Sequence, residues 1–490
     1  MTAAAPSGLP AKIHPLVRAF LDAPGAVEDA LLRFGSPAHL VFPQVFTDNL
    51  ERLRGVLEAR DPRYRMCYAH KVNQSRAFVR TAERAGIAVD VASAEELGSA
   101  LAAGFGAQRI EVTGPKGESL LRSLVGGGTT VNIDNVWELR RLAELAREDA
   151  AARGAEFAEV EALVRLSGFA GAPVSRFGVP LRQLGEVLAE LSAQREWITF
   201  RGFAFHIDSG ELAERVRAVD ACLDATERAY AAGLAPTVLN IGGGFRQVFT
   251  ADADAFDDYV IALRESLLGR GEPMTWGGNT FGFHIDGGAV HGIPVFHKYA
   301  NTVPADRMLA ELLDTGMEAH GGRTIAQVCA ENLLELWLEP GKALVDHAGI
   351  TVARVEFVKD AADGSTLVHL DVSRDTVTPA DQEVMVDPIL VPSVTHAPVN
   401  SGAVGVFLAG RLCLERDLVT NHKVWLPQRP QPGDLIVFPN TAAYHMDLSA
   451  ATASMHPLPP KLAVTRNTDG FDVCRDVDYL PSVGERHEVR

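Results

Sequence analysis

The chain has 490 residues, of which 47% are hydrophobic, and this predicts a globular protein of several domains with a sizeable core. Its formal net charge of −17 disfavours nucleic acid and anionic membranes as partners, because the overall field repels phosphates. The five cysteines are widely spaced and form no CxxC pair, so we expect no disulfide framework and no metal site, and a reducing cytoplasm fits best. The N-terminus does not resemble a secretion signal and no run reaches the roughly 18 apolar residues of a membrane span, so we expect neither secretion nor membrane insertion.

Eight short runs rich in β-forming residues follow one another through the first two-thirds of the chain. In chain order they are "RMCYAHK" near 66, "GIAVDVAS" near 88, "RIEVTG" near 110, "TTVNID" near 130, "EALVRLSG" near 163, "FRGFAFHID" near 203, "PTVLNIGGG" near 239 and "LELWLEP" near 336. The segments between them, such as "VWELRRLAELAREDAAARG", have apolar residues at helical spacing. Eight strand–helix units predict an α/β fold, the (β/α)8 barrel of the TIM type. A doubly wound open sheet is the alternative that periodicity leaves open.

Beyond about residue 345 the sequence changes to β-branched runs such as "GITVARVEFVKD" and "GAVGVFLAG", without regular helical segments. This pattern predicts a C-terminal antiparallel β domain. We therefore expect an N-terminal segment at 1–40 that packs with the β domain, a barrel at 41–344 and the β domain at 345–490. A stretch at about 271–330, rich in glycine, histidine and aromatic residues, is expected to be an insertion with a functional or capping role.

The residues that close the strands are the candidates for chemistry, since the active site of such a barrel lies at the carboxyl ends of its strands. The first strand ends in Lys71, the sixth in His206, the seventh in Gly242–Gly244 and the eighth in Glu339. A desolvated lysine attacks aldehydes, glycine N–H groups bind phosphate, a histidine covers a flat ring, and a carboxylate pairs with a protonated ring nitrogen. Each residue alone also has a structural explanation, as a surface lysine, a tight turn, a structural histidine or an ion pair. Together they predict a pyridoxal phosphate site.

With these residues in place, the chain resembles the fold-type III pyridoxal-phosphate decarboxylases, the group of diaminopimelate, ornithine and arginine decarboxylases. Nine motifs occur in the order of that family. They are "YAHKVN", "VDVASAEEL", "VNIDNVWEL", "SRFGV" at 175–179, "FHIDSGE" at 205–211, "NIGGGF" at 240–245, "EPGK" at 339–342, "LCLERD" at 412–417 and "GDLIVFPNTAAY" at 433–444. The resemblance covers most of the chain and implies a cytoplasmic lyase of amino acid metabolism.

The resemblance also implies a role for each matching residue. Lys71 forms the aldimine with pyridoxal 5'-phosphate, His206 stacks on the ring, and Cys413 comes from the partner subunit of a homodimer with shared active sites. The other implied cofactor contacts are Ser209, Gly242, Gly243 and Gly244 at the phosphate, Tyr444 near it, and Glu339 at the ring nitrogen. Decarboxylation would pass through a quinonoid intermediate, with Cys413 or Lys71 returning the proton. On composition alone, Cys413 would be an ordinary buried cysteine.

The sequence departs from the family pattern at the substrate end. The acidic residue that follows the site cysteine and receives a distal ammonium in diaminopimelate and ornithine decarboxylases is Leu414 here, unless Glu415 or Asp417 takes its place. Extra positive charge comes from Arg374, Arg411 and Lys342. These changes predict a nonstandard or side-chain-carboxylated amino acid as substrate. Residues of the insertion that could cover the pocket mouth are His284, His291, His297 and Lys298.

Two other functions stay open at this point. The first is a pyridoxal-phosphate amino-acid racemase or epimerase, against which the Cys413 motif and Glu339 argue, because alanine racemases place an arginine at the ring nitrogen. The second is a non-catalytic homologue that binds the cofactor, which the retention of Lys71 and His206 disfavours.

Overall fold

The computed structural model describes residues 8–60, 63–154, 158–379, 382–394 and 402–481. These residues form two compact units. The unit called the barrel unit below comprises Thr47–Phe245, Ala305–Leu344 and the described residues after Tyr479. The unit called the β unit comprises the described residues up to Phe46, Arg246–Pro304 and Val345–Tyr479. The domain boundaries expected at 40/41 and 344/345 stay predictions.

The helices and strands of the described residues are numbered in chain order. The helices are α1 Pro15–Asp22, α2 Ala26–Phe34, α3 Pro43–Glu58, α4 Arg76–Arg84, α5 Ala94–Ala103, α6 Glu118–Leu124, α7 Val136–Arg153, α8 Leu184–Ala193, α9 Leu212–Ala231, α10 Ala253–Leu267, α11 Ala305–Asp314 and α12 Ile325–Glu331. The strands are β1 Ala38–Val41, β2 Tyr64–Ala69, β3 Ala88–Val91, β4 Ile110–Val112, β5 Thr130–Ile133, β6 Val160–Ser167, β7 Val179–Pro180, β8 Ile198–Ala204, β9 Val238–Asn240, β10 His284–Asp286, β11 Ala289–His291, β12 Glu335–Leu338, β13 Gly349–Asp360, β14 Thr366–Leu370, β15 Ile389–Val391, β16 Val404–Ala409, β17 Val424–Leu426, β18 Leu435–Phe438, β19 Lys461–Asn467 and β20 Gly470–Arg475. None of these helices is long and apolar enough to cross a membrane.

Eight parallel strands close into a barrel in the barrel unit. Each pairs with the next in the order β2, β3, β4, β5, β6, β8, β9, β12, and β12 pairs with β2. The prediction of a (β/α)8 barrel is confirmed, with all eight sequence runs in their expected places. Helices start directly after strands because polar caps are present: Ser93 Oγ accepts the N–H of Glu96 at α5, and Asn135 Oδ1 accepts the N–H of Glu138 at α7. These short connections keep the strand ends together on one rim.

Apolar side chains from six strands fill one layer of the barrel unit. They are Cys67, Ala88, Leu163, Ala204, Val238 and Trp337. Strand side chains repeat with a period of two, so Asp90 and Asn240 lie on the same face of their strands as Ala88 and Val238, one step nearer the carboxyl ends. Asp90 and Asn240 therefore belong to a second, polar layer on the rim side of this apolar layer.

The β unit is a mostly antiparallel sheet structure, as predicted. Its main path runs β17, β16, β14, β13, β1, β19, β20, and β18 pairs with β13 and β15. Two pairs, β1 with β19 and β14 with β16, are parallel. Strand β1 lies between β13 and β19, so residues 38–41 belong to the centre of this sheet. Part of the expected insertion, the β10–β11 hairpin, belongs to the same unit.

Candidate active site

Lys71 lies directly after β2, in a single turn of 3-10 helix at His70–Val72. Two hydrogen bonds of the buried His70 ring fix this turn: Nδ1 donates to Asn73 O (3.2 Å), and Nε2 bonds with the Ser99 hydroxyl (3.0 Å). The Lys71 side chain is 32% exposed, and its Nζ lies 3.3 Å from Oδ2 of the fully buried Asp90 on β3. The other oxygen of Asp90, Oδ1, is buried and has no hydrogen-bond partner in the part of the chain that the structure describes. The turn thus holds a reachable amine beside a carboxylate that retains an open acceptor.

Three buried carboxylates, Asp90, Glu111 and Glu339, share the polar layer with Asn240. The amide nitrogen of Asn240 donates to Glu339 Oε1 (2.8 Å) and to both Glu111 oxygens (3.0 and 3.2 Å). Burial raises the pKa of the Asp90 and Glu111 carboxyl groups, and the neighbouring Glu339 adds to both shifts. Lys71 acts against the shift of the Asp90 pKa. The layer therefore carries more potential negative charge than its surroundings neutralise, and it favours a cationic ligand.

His206 follows β8 and contacts the glycine turn that follows β9. Its Nδ1 accepts the N–H of Gly243 at 3.2 Å, which assigns the ring hydrogen to Nε2. Burial, then the positive charges of Lys71 and Arg165, lower the pKa of His206 well below its usual value. The imidazole is therefore neutral at physiological pH, and it provides a flat and uncharged face.

The glycine turn owes its composition to close backbone packing. A Cβ at Gly242 would lie 2.2 Å from the carbonyl oxygen of Phe205, and one at Gly244 would lie 2.0 Å from that of Ile207. Both glycines also have φ in the left-handed region, +66° and +78°. The structural explanation of the glycines therefore holds, independently of any ligand.

The same turn also presents unsatisfied backbone donors. Gly242 N–H donates to Asn240 Oδ1 (2.8 Å) and Gly243 N–H donates to His206, so these two amides are engaged internally. Within the described ranges, the N–H groups of Gly244 and Phe245 have no acceptor, although both residues are buried. Two consecutive orphaned amides in a buried turn fit an anion such as a phosphate. Phe245 was not among the predicted phosphate contacts, and its backbone donor depends on turn geometry that the sequence does not specify.

Ser209 and Lys342 are tied to acidic neighbours on the same rim. The Ser209 hydroxyl donates to Glu214 (2.7 Å) and accepts the N–H of Glu211 (3.2 Å). The Lys342 ammonium pairs with Asp208. The Lys342 charge, which we expected at the substrate end, is thus offset by a carboxylate.

The other predicted site residues, Arg374, Arg411, Cys413, Leu414, Glu415 and Tyr444, belong to the β unit. Cys413 is a free, exposed thiol, and Leu414 and Glu415 are exposed beside it. Asp417 is buried, and its carboxylate accepts the N–H groups of Leu412 and Arg374, both at 2.7 Å. Because Asp417 organises its own loop, Glu415 is the exposed alternative to the missing acid at 414.

The two arginines near this loop face different cavities of the β unit. Arg374 lies 3.7 Å from Glu383, donates to Gln382 O (3.1 Å), and lines a cavity of about 190 Å³ together with Lys298. Arg411 donates to Pro457 O (3.3 Å) and lines another cavity of about 530 Å³. Although their side chains line different cavities, the two segments are hydrogen-bonded, since the Arg411 N–H donates to Val372 O at 3.1 Å.

Three histidines of the expected insertion, His284, His291 and His297, also lie in the β unit. His284 stacks on His291 across the β10–β11 hairpin, with the ring centroids 5.4 Å apart. His297 lies in the single 3-10 turn His297–Ala300, next to Lys298. Their expected role over a pocket mouth stays a prediction.

An amine, a neutral imidazole, a buried carboxylate and a pair of orphaned amides on one barrel rim fit the groups of pyridoxal phosphate. Comparisons with known proteins agree. Residues 47–272 match the family described as "Pyridoxal-dependent decarboxylase, pyridoxal binding domain". An uncharacterized protein, y4yA, of Sinorhizobium fredii is 31% identical over 446 residues, which is 90% of each chain.

Two further comparisons extend over both units. Diaminopimelate decarboxylase of Bacillus subtilis is 23% identical over 435 residues, covering 84% of this chain and 83% of that protein. The structure of diaminopimelate decarboxylase from M. jannaschii with L-lysine matches with a TM-score of 0.68 at 17% identity, over 93% and 94% of the two chains. The chain belongs to the fold-type III pyridoxal-phosphate decarboxylase family and is a pyridoxal-phosphate-dependent amino-acid decarboxylase.

Proposed function

We propose that this enzyme removes the α-carboxylate of a nonstandard or side-chain-carboxylated amino acid, and that the rim residues act as follows. Lys71 supplies the amine that holds the cofactor aldehyde, and His206 covers the ring. Glu339 pairs with the ring nitrogen, while the N–H groups of Gly244 and Phe245 bind the phosphate. Tyr444 and Ser209 complete the phosphate surroundings, and Gly242 and Gly243 shape the turn.

The observation that carries the proposal is the Lys71 ammonium beside the buried Asp90, 3.3 Å away, on the rim that also holds the orphaned amides. When bound, the cofactor supplies an electron sink for the bond that breaks as CO2 leaves. Glu339 keeps the ring nitrogen protonated, and the neutral His206 adds no competing charge. Lys71 or Cys413 then returns a proton to the α-carbon as the general acid.

The substrate class rests on the loop of Cys413. Leu414 cannot pair with a distal ammonium, and the carboxylate of Asp417 is already engaged by two backbone amides. A side chain ending in an amine would therefore meet only Glu415 there. We propose a substrate without a distal ammonium.

The exposed thiol of Cys413 supports a homodimer in which each subunit completes the site of the other. Lys71→Ala and Cys413→Ala variants, mixed and reassembled, should then recover about a quarter of the wild-type activity, because half of random dimers are mixed and each has one intact site. No recovery would argue that the two residues serve the same subunit. The free cysteines also support a reducing cytoplasmic location.

The experiment that tests the function combines a spectrum with a product assay. Wild-type protein incubated with pyridoxal phosphate should gain visible absorbance that borohydride removes, and Lys71→Ala should not gain it. A panel of amino acids, with emphasis on those carrying side-chain carboxylates, should then release CO2. Interconversion of enantiomers without CO2 would instead support a racemase, and absorbance without turnover would support a non-catalytic homologue.

A further inference from the structure

Arg215 is a fully buried arginine in the first turns of α9, beneath the glycine turn. Its guanidinium donates to Ile207 O (2.8 Å) and, more weakly, to Ile241 O (3.5 Å). The Nη2 atom that donates to Ile207 O also donates to Gly243 O. The guanidinium carbon lies 4.7 Å from the centroid of the Phe245 ring. One side chain thus connects the loop after β8 with the turn after β9.

The positive charge of Arg215 has no partner of opposite sign at contact distance. Among the described residues, no carboxylate oxygen lies within 4 Å of the guanidinium, and its Nε has no hydrogen-bond partner. Asp208 exerts an attraction on Arg215, but it is exposed and pairs with Lys342. Burial lowers the Arg215 pKa to about 10, so the group stays charged at neutral pH. Burying an unpaired charge is costly, so a ligand that supplies an anion would be favoured.

The contact with Gly243 also fixes the direction of the next amide. In a trans peptide the C=O and the following N–H point to opposite sides. Because the Gly243 carbonyl points at Arg215, the N–H of Gly244 points away from it. That N–H is one of the two donors without an acceptor among the described residues.

We infer that Arg215 is a positioning residue for a phosphate group: it orients the Gly244 amide toward the anion and supplies, from behind the turn, the positive charge that the anion balances. This inference rests on the proposed function, in which the turn binds the cofactor phosphate. Neither Arg215 nor its role is evident from the glycine motif alone.

The test compares pyridoxal phosphate with pyridoxal, which lacks the phosphate, as ligands of the whole apo-protein. For Arg215→Met we expect the affinity for pyridoxal phosphate to fall about 10- to 100-fold, the range of one charge-assisted contact, while that for pyridoxal changes little. Arg215→Lys keeps the positive charge but loses the planar guanidinium with its several N–H donors. We therefore expect an intermediate loss of affinity for pyridoxal phosphate and again little change for pyridoxal. Arg228→Met, on the same helix but 50% exposed, is the matched control and should bind both ligands like the wild type.

The ratio of the two affinities decides between positioning and simple structural support. An equal loss for both ligands in Arg215→Met and Arg215→Lys would overturn the inference. If Arg215→Met does not fold, Arg215→Lys alone decides by the same ratio. Inorganic phosphate should also raise the melting temperature of wild-type apo-protein more than that of Arg215→Lys, and an equal rise would count against the inference. Wild-type protein that binds no pyridoxal phosphate would refute the proposed function rather than the role of Arg215.

Discussion

Asn240→Asp tests whether the amide of Asn240 holds the carboxylate layer together. The substitution keeps the oxygen that accepts the N–H of Gly242 and replaces the NH2 group that donates to Glu111 and Glu339. Losing hydrogen bonds to two carboxylates costs about 3–6 kcal/mol, at roughly 1.5–3 kcal/mol each. The new carboxyl is fully buried between two others, so its pKa in the folded state is raised.

The raised pKa gives the loss a defined pH dependence. Between the pKa of the new carboxyl group in the unfolded chain, about 4, and its raised pKa in the folded state, the folded state keeps a proton that the unfolded state has released. The free energy of unfolding of Asn240→Asp therefore falls as the pH rises through this window. The difference between the wild type and Asn240→Asp in free energy of unfolding should grow by up to about 1.4 kcal/mol per pH unit. Urea denaturation of apo-protein at pH 6 and pH 8 measures it. Asn135→Asp is the control, since Asp also caps helix α7 well. The same loss at both pH values, or one no larger than in the control, would refute this account of the layer.

Two other substitutions test the turn and the loop. In Gly244→Ala the new Cβ would lie 2.0 Å from Ile207 O, so the turn must shift. We therefore expect the affinity for pyridoxal phosphate to fall at least about 10-fold. Gly233→Ala, at φ +77° with open space around it, is the control and should bind the cofactor normally in the same titration. Leu414→Glu should increase the rate of CO2 release from diamino acids, because it supplies a partner for a distal ammonium. Val394→Glu, also at an exposed apolar position of the β unit, is the control and should not increase this rate. No gain with Leu414→Glu would contradict the proposed substrate class.

The barrel could be predicted because each strand and helix leaves a local pattern. The positions of Lys71 and Glu339 at the ends of strands could be predicted by the same route, since a residue that closes a strand can be located by counting along the chain. Asp90 and Glu111 were missed because they lie within strands, at Ala88–Val91 and Ile110–Val112. A charged residue between apolar neighbours in a strand was the available signal. Whether its side chain enters the barrel depends on the register of eight strands.

The arrangement of the β unit could not be predicted in the same way. The sequence predicts that Arg374 and Arg411 both add positive charge at the substrate end. Their directions depend on partners distant in sequence, since Arg411 donates to Pro457 O, and Arg374 contacts the carbonyl of Leu418 (3.4 Å) as well as Glu383. The role of Asp417 was equally hidden, because a carboxylate that binds its own loop has the same sequence signature as one that binds a ligand.

The charges on the barrel rim predict that this site binds pyridoxal phosphate better than pyridoxal. The layer of Asp90, Glu111 and Glu339 carries an excess of acidic groups. Burial raises the pKa of two of them, Asp90 and Glu111. Behind the glycine turn the imbalance has the opposite sign, because the charge of Arg215 is buried without a contacting carboxylate among the described residues. A ligand with a cationic ring nitrogen offsets the first imbalance, and a phosphate offsets the second. Pyridoxal can offset only the first imbalance, so we expect the two imbalances together to favour the phosphorylated form.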